Sequence, residues 1–134
     1  MQIISTTRSD EVTFWRHTRL GLSMKRLAFD PRIRAEIICH NEQGLPSVYN
    51  QALERSDPEE AVILLHDDVW IDDYHLTTRI EEALQHFDVI GVAGCTEIHE
   101  RHAGWCFWQP EGTAELRKIE DRYLSGAVAH FRGA

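Results

Sequence analysis

Four short runs of the chain are almost wholly apolar: QIIST from Gln2, AEIICHN from Ala35, AVILLHDD from Ala61 and DVIGVAGC from Asp88. They are rich in β-branched residues and continuous, not alternating, which is how strands covered on both faces read. Between them the spacing of apolar residues becomes helical. Ser9 or Asp10 caps a helix carrying Val12, Phe14 and Leu20, with GLSMKRL following as a shorter piece. Pro46 suits the first residue of a helix through Glu54, with Val48, Ala52 and Leu53 on its inner face. Asp72 or Asp73 starts a third helix, in which Leu76, Ile80, Ala83, Leu84 and Phe87 keep helical spacing.

Strand, helix, strand in this rhythm predicts an α/β fold with a mainly parallel central sheet. In such sheets the carboxyl ends of the strands gather along one edge, and ligands bind there. The four ends read STT, HN, HDD and GCTE, so every apolar run hands over to hydrogen-bonding or acidic groups where a site is expected.

Composition narrows the picture. A chain of 134 residues that is 43% apolar and 27% charged predicts one globular domain over 1–134, with enough apolar side chains for a core. Its formal charge of −8 disfavours nucleic acid and anionic membrane as partners, and implies that a phosphate ligand needs a cation's help. No run is long enough to predict a transmembrane segment, and MQIISTTRSD does not read as a signal peptide. Cys39, Cys95 and Cys106 are odd in number and lack CxxC spacing, which predicts free thiols and a cytoplasmic setting.

The acidic pair Asp67-Asp68 is the feature a purely structural strand explains least, because adjacent carboxylates repel and resist burial. Hard oxygen ligands at a strand end suit Mg²⁺ or Mn²⁺, which take one or two protein carboxylates and complete their shell with water and phosphate oxygens. The competing explanation is a solvated turn that caps the next helix.

The surrounding residues favour the first explanation. NEQGLPSVYNQALERS, EEAVILLHDDVWIDDY and DVIGVAGC, in that order, resemble the nucleotide-binding half of GT-A-fold glycosyltransferases, particularly family 2-like members. Asn41, Gly44 and Asn50 occupy the family's places after the second strand, His66-Asp67-Asp68 matches its DXD-type motif, and Gly104-Trp105 resembles a later GW segment. The resemblance implies a Rossmann-like, three-layer GT-A fold lacking the acceptor half, since the family continues well beyond SGAVAHFRGA.

It also implies roles. Ser5, Thr6 and Thr7 would line the pocket for base and ribose, Asn41 would hydrogen-bond the base, and Asn50 belongs to the same nucleotide-binding set. Asp67 would contact the ribose or the metal's water shell, and Asp68 would ligate Mn²⁺ or Mg²⁺ directly. UDP is the favoured nucleotide, as Thr6 and Asn41 suit uracil, though they do not exclude other bases. The expected activity is metal-dependent transfer from a nucleotide-sugar donor to an acceptor hydroxyl of unidentified type. No segment matches the family's general base; Glu97, Glu100 and His130 stand in only by default. The alternative is a catalytically incompetent nucleotide-sugar-binding or assembly domain.

Trp105, Phe107 and Trp108 could stack on a sugar or acceptor, or form a hydrophobic lid or subunit contact. A sheet cut short leaves an open edge, which predicts a homo-oligomer with GWCFW as the contact region. Cys95, His99, His102 and Cys106 include zinc-binding residue types, but their spacing is not that of a common zinc finger. The absence of a Walker-type loop argues against an NTPase, and Ser125 has no nucleophile-elbow context. A two-metal phosphohydrolase built on His66, Asp67 and Asp68 lacks the further ligands it needs.

Overall fold

The computed structural model describes residues 1–126, and its chain divides into two compact units, the first running from Met1 to Glu82 and the second beginning at Ala83. It is mixed α/β. The first unit is built on three parallel strands, β1 (Gln2–Thr6), β2 (Arg34–Ile38) and β3 (Val62–His66), in the order β2-β1-β3. Ile3 lies opposite Ala35 on one side and Ile63 on the other, and Thr6 opposite Ile38 and His66. This register brings all three strands to an end at the same level.

Two short helices follow β1: α1 (Glu11–His17) and α2 (Arg19–Arg26). Asp10, and not Ser9, caps α1; its carboxylate accepts from the Thr13 backbone N–H at 2.8 Å and from the Thr13 hydroxyl. The helix predicted to continue through Leu20 instead breaks at Thr18. This residue is extended (ψ 152°), so the chain turns there, and its hydroxyl serves both helices. It donates to Phe14 O at 2.8 Å and accepts from Gly21 N at 3.0 Å.

Strand alternation then sorts the core. Ile3 packs with Phe14, Leu20, Met24, Leu27 and Ile71, while Ile37, Ile63 and Leu65 lean on the same cluster. Ile3, Phe14 and Leu20 are completely buried, each burial stabilising the fold by roughly 1.5–3 kcal/mol. The opposite face of β1 carries buried Ile4, and α3 (Leu45–Arg55) packs against that strand. Val48 and Ala52, one turn apart, are its buried residues; Leu53, a further 100° round, is exposed and not on the inner face as predicted. Pro46 sits at the second helical position, and Tyr49 donates its hydroxyl to Leu65 O at 3.0 Å.

Helix α4 (Leu76–Leu84) starts later than the predicted Asp72 or Asp73. Asp72 is drawn off by Arg26 at 2.9 Å, and Asp73 closes a turn by accepting from His75 N. The residue α4 buries is Thr77, whose hydroxyl donates to Asp30 at 2.6 Å; Leu84 and Phe87 are exposed despite their helical spacing.

DVIGVAGC does not supply the expected fourth parallel strand. Its last three residues form β4 (Ala93–Cys95), which pairs antiparallel with β7 (Leu124–Gly126) in the second unit. There β5 (Phe107–Trp108) and β6 (Arg117–Lys118) make a second antiparallel pair, and Ile119 is buried. Consequently β2 and β3 are both edges of the described parallel sheet. Only β1 is covered on both faces, while Leu64 on β3 is 41% exposed. Among the described residues no helix is long and apolar enough to cross a membrane.

Candidate functional site

The three parallel strands end in loops that are sewn to one another. Thr7 N donates to Ile38 O at 3.0 Å, Asn41 N to Thr7 O at 2.9 Å and His40 N to Ser9 O at 3.1 Å. His40 adopts φ +53°, a left-handed conformation uncommon for a residue with a side chain. It turns the chain so that consecutive amides, His40 N and Asn41 N, both reach the loop after β1. On the other side, Leu20 N donates to Asp67 O at 3.1 Å, tying the start of α2 to the end of β3.

These loops enclose an open crevice of about 440 Å³ at the carboxyl edge of the sheet. Thr6 lines it from the end of β1 and Thr7, Arg8 and Ser9 from the loop that follows, Asn41 to Gly44 from the loop after β2, Leu45 from the start of α3, and His66 and Asp67 from the end of β3 and just beyond. An adjoining hollow of about 400 Å³ is lined by Arg8, His40, Asn41 and Glu42. Four of the residues predicted to bind nucleotide, Thr6, Thr7, Asn41 and Asp67, therefore meet in one place although they lie up to 61 positions apart in sequence.

The other predicted residues are placed differently. Ser5 is completely buried within β1, and its Oγ has no hydrogen-bond partner. Its register places it opposite Ile37 and Leu65, on the sheet face that packs against α1 and α2, and it does not line the crevice. Asn50 is exposed on α3, and Asp68 is exposed just beyond Asp67; neither lines the crevice. Asp67 itself is half-buried, and its negative charge adds to the effect of burial in pushing the Tyr49 phenol above its ordinary value.

Asn41 is already committed within its own loop. Its Oδ1 accepts from Gln43 N at 2.9 Å and its Nδ2 donates to Gln43 O at 3.0 Å. One amide hydrogen and one lone pair remain for a ligand. Burial pushes the neighbouring Cys39 thiol up, with the carboxylates of Glu11 and Asp10 adding to the effect, so it is a poor nucleophile. All three cysteines are free.

Trp105 and Trp108 belong to the second unit and are half-buried. The Trp108 ring stacks on His99, with centroids 4.3 Å apart and planes within 5°, so that face is occupied. His99 Nε2 lies 3.4 Å from Glu97 Oε1 but makes no hydrogen bond. Cys95 Sγ accepts from Glu97 N, and His102 Nδ1 accepts from His99 N. Among the described residues no three His, Cys, Asp or Glu side chains gather as a metal-ligand group. Glu97 and Glu100 also lie in the second unit; His130 is outside the described residues.

Sequence reasoning overlooked Arg8, Ser9, Glu42 and Gln43. A signal existed, since Arg8 adjoins Thr7 and Glu42 adjoins Asn41, with Ser9 and Gln43 one residue further on, but attention to the strand ends passed over the loops they open into. No protein-family model, curated protein or solved structure matches the chain.

Proposed function

We propose that the crevice binds the nucleotide of a nucleotide-sugar, with UDP the favoured nucleotide, and that the chain is a GT-A-like, family 2-like glycosyltransferase domain. The reading is carried by one observation: Thr6, Thr7, Asn41 and Asp67, chosen from separate parts of the sequence, line the same crevice at the strand ends. The Thr6 hydroxyl already donates to Ile38 O and the Thr7 hydroxyl already accepts from Ser9 N, so the remaining valences of these two groups and of Asn41 are what would serve a base and ribose.

Asp67 lines the crevice and Asp68 is exposed beside it in the chain; two hard carboxylates suit an Mn²⁺ or Mg²⁺ ion shared with a diphosphate and not one caged by protein alone. In this reading Asp67 and Asp68 hold the ion, which when bound neutralises charge on the departing diphosphate. Thr6, Thr7 and Asn41 would orient the nucleoside, and half-buried Asp67 would contact the ribose or the metal's water shell.

Calorimetric titration of UDP with Mn²⁺, and again with EDTA, tests the proposal. Binding that Mn²⁺ tightens, and that Asp68→Ala reduces to the EDTA level with the fold intact, is the expected outcome. Absence of UDP binding under both conditions refutes the nucleotide assignment. Equal affinity with and without metal refutes the role given to the carboxylates. Sugar turnover above background separates an active transferase from a binding or assembly domain.

A further inference from the structure

The crevice has an electrostatic problem if an anion is to enter it. Its lining carries two carboxylates, Glu42 and Asp67, in a chain of net charge −8. Arg8 is the one lining residue with a permanent positive charge. It borders both the 440 Å³ crevice and the adjoining 400 Å³ hollow, where Glu42 also lies.

Other arginines of the first unit are consumed by the fold. Arg26 pairs with Asp72, Arg32 with Asp30 and Glu81, Arg34 with Glu60, Arg55 with Glu36 and Arg79 with Asp73. Arg8 makes no ion pair or side-chain hydrogen bond among the described residues, although Asp10, Glu11 and Glu42 are close in sequence or space. Arg16 and Arg19 are also unpaired among the described residues, but they do not line the crevice.

The backbone beneath Arg8 is held on both sides. Thr7 N and O are bonded to Ile38 and Asn41, Ser9 O accepts from His40, and Ser9 N donates to the Thr7 hydroxyl at 3.2 Å. His40, whose amide makes the bond to Ser9 O, is itself in the left-handed region. The backbone that carries Arg8, a crevice-lining residue exposed and unpaired among the described residues, is therefore held in place.

We infer that Arg8 is the diphosphate-binding residue of the crevice, so that anion binding persists when divalent metal is removed. Its planar fork of N–H donors matches phosphate oxygens on two linked phosphates. The nucleoside part of the ligand rests on the function proposed above; the diphosphate part does not.

The test is titration of inorganic pyrophosphate, UDP and uridine into wild type, Arg8→Gln and Arg8→Lys, in EDTA at about pH 8, where ordinary imidazoles carry little charge. Expected is metal-free binding of pyrophosphate and UDP that Arg8→Gln weakens at least about tenfold, the usual scale of one lost charge-assisted contact. Arg8→Lys should recover part of it as a point charge. Thermal melting should be unchanged, because the side chain is exposed and unpaired.

Equal affinity in wild type and Arg8→Gln overturns the inference, as does pyrophosphate and UDP binding too weak to detect in EDTA. UDP that binds with Mn²⁺ but ignores Arg8 leaves the nucleotide assignment standing and removes this one. Pyrophosphate that depends on Arg8, with UDP no tighter, does the reverse.

Discussion

Gly21→Ala would ordinarily be a stabilising change. In an exposed helix interior it gains about 1 kcal/mol, because alanine has the higher helix propensity. Here the outcome should reverse. Gly21 is buried at the start of α2, pressed against the end of α1. A Cβ there would fall far inside van der Waals contact with the Phe14 carbonyl oxygen, 2.9 Å from its carbon and 3.0 Å from Thr18 Oγ1. These atoms cannot yield independently. Phe14 O already accepts from Thr18 N at 3.2 Å and from the Thr18 hydroxyl at 2.8 Å, and that hydroxyl caps α2.

Relief means parting the two helices. Overpacking of this kind costs about 1–3 kcal/mol, and loss of the threonine cap about 1 kcal/mol more. After the propensity gain is subtracted, a net loss of about 1–3 kcal/mol remains. At about 4–8 °C per kcal/mol for a unit of this size, the melting temperature should fall by roughly 4–24 °C. Urea unfolding followed by circular dichroism and tryptophan fluorescence measures it. Gly44→Ala is the control: its φ is −66° and its nearest foreign atom, Pro46 Cδ, is 4.0 Å from the new Cβ, so it should cost under about 1 kcal/mol. A Gly21→Ala protein as stable as wild type would refute the close approach of α1 and α2.

Two further predictions follow from buried polar groups. Ser5 Oγ is buried without a partner, so Ser5→Ala should leave stability unchanged or raise it by up to about 1 kcal/mol and should not alter UDP binding; a clear loss in the urea midpoint would mean the hydroxyl is bonded. The Arg32 guanidinium, then the Thr77 hydroxyl, hold the Asp30 carboxyl well below the usual carboxylate range. A depressed folded pKa adds stability above the unfolded value of about 4, and that stability is lost as pH falls toward the folded value. Thr77→Val should therefore move the acid-unfolding midpoint to higher pH, and an unchanged midpoint would count against this network.

How far the sequence reached can be judged element by element. Continuous, β-branched apolar runs at QIIST, AEIICHN and AVILLHDD were legible as strands, although the two-sided burial such runs imply is met only by β1. Their polar ends were legible as crevice residues because parallel strands deliver their carboxyl ends to one edge, and Thr6, Thr7, Asn41 and Asp67 are found there. Periodicity could not show that DVIGVAGC joins an antiparallel pair with a segment some thirty residues later, because pairing is a long-range choice that leaves no local mark. Nor could it show that Leu53, Leu84 and Phe87 are exposed, since helical spacing defines a face without saying whether anything covers it.

Side-chain direction was beyond it as well. Ser5 and Thr6 are neighbours in one polar run, yet strand alternation sends the first into the core and leaves the second at the crevice. Asp67 and Asp68 part in the same way where β3 ends, one half-buried in the lining and one exposed. The sequence by itself determined the parallel strands and the polar edge, because both follow from local composition and chain direction. Tertiary structure alone decided which polar groups share a crevice, and that Arg8 stands among them unpaired, because both depend on register, loop closure and the carboxylates left within reach.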